Sequence, residues 1–152
     1  MDESLKAAFS QVRFRSEREK VPGLFFIVTA CKPDGVNVPV EENKRADGIL
    51  KETVDEAGFD SFRVVGGDFE FDHSEPGWGI CCGLADARKL SERFRQVAFF
   101  EVKSGMVRLV PTDPSDGDAV DLGDWDLRLD DGKPCWDQQR RPLRFTGFTC
   151  LR

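Results

Sequence analysis

His73 is the only histidine in a chain of 152 residues, and its neighbours make it the first place to look for chemistry. Asp72 precedes it, and Ser74, Glu75 and Pro76 follow. An imidazole among carboxylates can exchange a proton near neutrality, as general acid–base catalysis or a switchable ligand contact requires. In a turn, the same ring can instead spend its nitrogens on its own hairpin. Just upstream, Asp68-Phe69-Glu70-Phe71-Asp72 alternates acid and aromatic. Read as a strand, this period of two points Phe69 and Phe71 inward and Asp68, Glu70 and Asp72 outward. Three carboxylates together with His73 or Glu75 are the oxygen-rich set that Mg²⁺ or Mn²⁺ takes, so Asp68, Glu70 and Asp72 are the candidate metal ligands. The plain alternative is a solvated strand face offset by basic neighbours. Asn43, in a Glu-Asn pair near a helix start, either caps that helix or reaches a ligand. Asn43, His73, Ser74 and Glu75 are therefore the ligand-binding candidates, and no residue is assigned as catalytic.

Other chemistries are excluded by what their motifs lack. Cysteine and histidine do not fall at zinc spacing. Counted from Asp113, the acidic stretch offers Gly117 where an EF-hand needs its third ligand, at position five. Ser74 has no flanking G-x-S-x-G, and Gly66-Gly67 precedes no helix, so it cradles no phosphate. Cys31 could act with His73 only if their loops converge. No cofactor is expected.

These residues must be held by a fold, and the chain is large enough to build one. It is 39% hydrophobic and 33% charged, enough to bury a core. Leu5, Ala8, Phe9 and Val12 have helical spacing, with Asp2 as N-cap, and the charged residues 13–20 read as a linker. Leu24 to Ala30 is a β-rich run, apolar on both faces, and so a central strand. Ala46, Ile49, Leu50, Val54 and Ala57 predict a helix over about 40–57, with Gly48 inside it allowing close packing on the sheet. Strands follow at 62–65, through the acid–aromatic alternation and, after a turn at 73–77, at 78–83. A helix is predicted over about 85–95, and a hairpin turns at Ser104-Gly105. Residues 113–131 hold eight acids and one base, while 133–152 hold five bases and one acid. Trp125, Leu127 and Leu129 alternate as a strand would, and Leu143 and Phe145 suggest a last one.

From residue 24 the order is strand, helix, strand, strand, helix, strand. That is an α+β chain with the split βαββαβ order of the ferredoxin-like sandwich. An extra hairpin strand and a β-rich C-terminal extension would complete it, and the alternative is an α+β sheet with helices on both faces. The whole chain is read as one domain: an N-terminal helix and linker over 1–20, a core over 24–111 and an extension over 112–152.

Charge and hydropathy narrow the partners. Lys and Arg number 22 against 28 Asp and Glu, a net charge of −6, which opposes binding to nucleic acid or an anionic membrane. Phe99 and Phe100 lack the basic, glycine-rich context of an RNA-stacking strand. The longest apolar run, Leu24 to Cys31, is far shorter than the roughly 20 residues that span a bilayer. With no export signal at the start, a soluble cytoplasmic protein with reduced thiols is expected.

The run Phe25-Phe26-Ile27-Val28-Thr29-Ala30, Asn43, Gly66, the His73-Ser74-Glu75-Pro76 turn and Gln96-Val97-Ala98-Phe99-Phe100 together resemble a bacterial family of unknown function, DUF3293, over about residues 24–111. The resemblance carries no activity with it. The residues themselves point first to a small non-catalytic binding or regulatory module. Its partner would be a small molecule or a protein, with self-association left open. The alternative is a metal-assisted or acid–base enzyme working through residues 68–75.

Overall fold

A computed structural model describes residues 3–134. They form three α-helices and seven strands: α1 (Glu3–Ser10), β1 (Arg13–Ser16), β2 (Leu24–Thr29), α2 (Val40–Glu56), β3 (Ser61–Gly67), β4 (Ser74–Ile80), α3 (Leu84–Arg93), β5 (Ala98–Lys103), β6 (Met106–Pro111) and β7 (Val120–Asp124). The strands make one curled sheet in the order β1-β3-β4-β2-β5-β6-β7, and every neighbouring pair is antiparallel.

The apolar run of β2 supplies both sides of the sheet, as an unbroken hydrophobic strand must. Phe26 and Val28 join Leu50 and Val54 of α2 and Ala87 and Leu90 of α3 in one core. Phe25 and Ile27 face the opposite, concave side, with Phe14, Phe62, Val102 and Trp125. There Phe14 stacks on Trp125 at 5.1 Å between ring centroids, and Phe25 meets the same indole edge-on at 5.3 Å. Gly79 makes this packing possible: a Cβ there would sit 2.7 Å from the Phe62 ring.

The curl brings the two ends of the sheet together. Phe14 of β1 bridges Leu129, the Asp130 N–H donates to the Phe14 carbonyl at 2.7 Å, and Arg13 Nη2 donates to the Leu129 carbonyl at 2.8 Å. Arg128 Nη1 ties down the end of α1 by donating to the carbonyls of Ser10 and Val12 at 2.9 and 2.8 Å.

Several expectations are corrected. Residues 13–16 are strand rather than linker, because β1 finds the edge of β3 in the register Arg13↔Gly67. The acid–aromatic stretch is a loop, and the expected turn begins a strand: Gly67 pairs with Ser74, and residues 68–73 connect them. Asp68 is the cause. Its carboxylate accepts the Asp72 N–H at 2.9 Å and its carbonyl accepts the Phe71 N–H at 3.0 Å, so its local hydrogen bonds outcompete a β-ladder. Phe71, at φ 57°, folds back over side-chain-less Gly67 and is buried, whereas Phe69 is 63% exposed. Only one of the two rings therefore points inward. Residues 120–124 are strand and 126–128 a 3₁₀ turn, the reverse of the alternation read at 125–129. Gly48 is exposed, with open space where its side chain would be, so it serves no packing. Asp2 and the strand expected near Leu143 and Phe145 lie outside the described residues.

A cleft at the strand ends

The concave face opens at one end into a cleft of about 240 Å³. Its walls are apolar: Phe9 and Val12 from the α1 side, then Phe14, Ile27, Val64 and Phe100 from the sheet. Its mouth is polar, lined by Thr29, Lys32, Asp68, His73, Glu75 and Gln96. Such a combination, an apolar body with a few converging polar groups, is the usual form of a small-molecule site.

The mouth is built from the loop after β2. Thr29 Oγ1 donates to the Pro76 carbonyl at 2.7 Å and accepts the Cys31 N–H at 3.1 Å, joining β2 to β4. Lys32 then takes a left-handed conformation, φ 50°. Its N–H is held by Asn43 Oδ1 at 3.0 Å. Gln96 Nε2 donates to the Cys31 carbonyl at 3.0 Å, and Arg95 pairs with Asp34. So fastened, the loop sets Lys32 Nζ 3.5 Å from Glu75 Oε2, with both side chains half-buried. Burial pushes the Glu75 carboxyl above the usual carboxylate range, and Lys32 opposes that rise.

Of the predicted residues, His73, Ser74 and Glu75 all line the cleft. The His73 side chain is 77% exposed and stands at the rim, with Nδ1 3.3 Å from Asp68 Oδ2. Asn43 is fully buried on α2 and lies outside the cleft lining; it acts on the site through Lys32. Asp68, Glu70 and Asp72 share no strand face, and among the described residues no group of three His, Cys, Asp or Glu side chains is arranged to hold a metal ion. Cys31 is buried, with its thiol 3.8 Å from the Pro76 carbonyl. Burial pushes that thiol up to about 12, the opposite of what a nucleophile needs.

Sequence reasoning missed Lys32, Thr29 and Gln96. Gln96 stood in the stretch that carried the family resemblance, which was the one signal available for it. Lys32 sits beside a Pro33-Asp34-Gly35 turn and has no periodic pattern, so nothing local marks it.

Residues 28–99 match the model of a family described as "Protein of unknown function (DUF3293)". No curated protein and no solved structure matches the chain. The matched stretch runs from β2 into β5 and contains every residue of the mouth. Over residues 28–99, this chain is similar to the DUF3293 family.

Proposed function

We propose that the chain is a non-catalytic binding module that takes a small molecule into the cleft, apolar body against the phenylalanines and polar head at Lys32, Glu75 and His73. The observation that carries this is the meeting of an apolar hollow with a polar mouth whose groups are pre-positioned by the loop after β2. The scaffold is read as ferredoxin-like, supported by the order β3-β4-β2-β5 of the inner strands and by α2 and α3 sharing one core. A second reading, an acid–base enzyme, is favoured by one observation: the raised Glu75 carboxyl sits at the mouth of a cleft, where a general acid would be useful.

The test uses the neutral fluorescent probe N-phenyl-1-naphthylamine. Its emission is expected to rise saturably with the folded protein. Ala8→Trp and Val97→Trp, at two exposed lining positions, are expected to block the rise while leaving the melting temperature nearly unchanged. His73→Ala should change stability by under about 1 kcal/mol, because the ring is exposed. Probe binding that both tryptophan variants leave intact would overturn the cleft as the site.

A further inference from the structure

Resting on the cleft reading above, we infer that the ligand's head is zwitterionic, and that the ligand is an apolar α-amino acid or a close analogue. The mouth presents both signs of charge side by side: Lys32 Nζ and Glu75 Oε2 are 3.5 Å apart. A carboxylate head drawn to Lys32 would crowd Glu75, and an ammonium head drawn to Glu75 would crowd Lys32. In either case one partly desolvated mouth charge loses its counter-charge, which is how buried ion pairs reject a mismatched partner. A head carrying both charges pairs with both. In an α-amino acid one carbon separates ammonium from carboxylate, so its charges lie as near each other as those of Lys32 and Glu75.

The backbones that carry the pair are fixed: that of Lys32 by Asn43, and that of Glu75 by the β3–β4 register Gly66↔Glu75. Behind them the walls supply aromatic side chains from Phe9, Phe14 and Phe100 for the ligand's side chain.

L-phenylalanine, 3-phenylpropionate and 2-phenylethylamine share one ring and differ in head charge, so they separate the cases in competition with N-phenyl-1-naphthylamine. Phenylalanine is expected to displace the probe at concentrations at least about tenfold lower than either singly charged analogue, a difference one matched charge commonly supplies. Lys32→Met should abolish that advantage and shift preference to the amine, and Glu75→Gln should shift it to the carboxylate. If phenylpropionate or phenylethylamine matches phenylalanine on the unmodified protein, or if the preference survives both substitutions, the inference is overturned. If the probe binds and phenylalanine does not displace it, the zwitterion falls while the cleft stands. If the probe itself fails to bind, both fall.

Discussion

Asn43 Oδ1 accepts the backbone N–H of Lys32 at 3.0 Å, so a fully buried side chain on α2 sets the left-handed residue that carries the positive charge of the cleft mouth. Asn43→Ala leaves that N–H without its acceptor. The expected cost is roughly 1–3 kcal/mol in urea unfolding. The Lys32 amide should also move in a ¹⁵N–¹H spectrum and lose hydrogen-exchange protection. An unchanged Lys32 amide would show that the loop holds itself.

Asp47 and Arg63 form a two-pronged ion pair, with both N–O distances 2.8 Å, beneath the Trp78 ring, whose centroid is 3.8 Å from the Arg63 guanidinium carbon. Asp47 is buried, so Asp47→Ala strands a charge and should destabilise by about 3 kcal/mol or more. Replacing both partners by leucine should cost clearly less than Asp47→Ala alone, because no lone charge remains. Chemical denaturation of the two variants decides it, and equal losses would contradict this account.

Gly48 lies inside α2, exposed, with nothing within 4 Å of where its Cβ would be. Gly48→Ala should therefore stabilise the fold by roughly 0.5–1 kcal/mol through helix propensity alone. A lower unfolding midpoint in the alanine variant would point to a contact at this face.

The Glu75 carboxyl, raised by burial above its ordinary value of 4.5, makes stability pH-dependent in a defined direction. The folded state binds this proton more tightly than the unfolded state. Its stabilising contribution is full below pH 4.5 and is lost as pH rises through the raised value. The stability of the unmodified protein relative to Glu75→Gln should accordingly be greatest at acid pH and shrink as pH climbs. Urea midpoints for both proteins across the acid range test this, and a gap that widens with pH has the wrong sign.

Burial holds the thiols of Cys31 and Cys82 at about 12. At neutral pH both should resist iodoacetamide in the native protein and react fully once urea is added. Site-resolved mass spectrometry reads the outcome, and rapid native labelling of Cys31 would mean that the loop above it opens.

How much of this was legible beforehand divides along one physical line. The spans of α2 and α3, the two-faced strand β2 and the Ser104-Gly105 hairpin follow from local periodicity and turn chemistry, where each residue's neighbours in the chain are its neighbours in space. His73, Ser74 and Glu75 were singled out by composition alone, and the family resemblance rested on short runs that could be read directly. Hydrophobic alternation failed where side-chain hydrogen bonds or distant partners decide. Asp68-Phe69-Glu70-Phe71-Asp72 alternates like a strand, yet the Asp68 carboxylate, the vacancy over Gly67 and the Arg15 guanidinium, 3.9 Å from the Phe71 ring centroid, make it a loop. Arg13–Ser16 looks like a charged linker until β3, some fifty residues on, offers it an edge. The cleft is the extreme case: its mouth joins Lys32, Glu75 and Gln96 from three separate parts of the chain, and Asn43, from a fourth, fastens Lys32. The residue types that can bind were written in the sequence. Their convergence was decided only in the tertiary structure, because it is the antiparallel pairing of β2 with β4, in the register Thr29↔Gly77, that brings Lys32 within reach of Glu75.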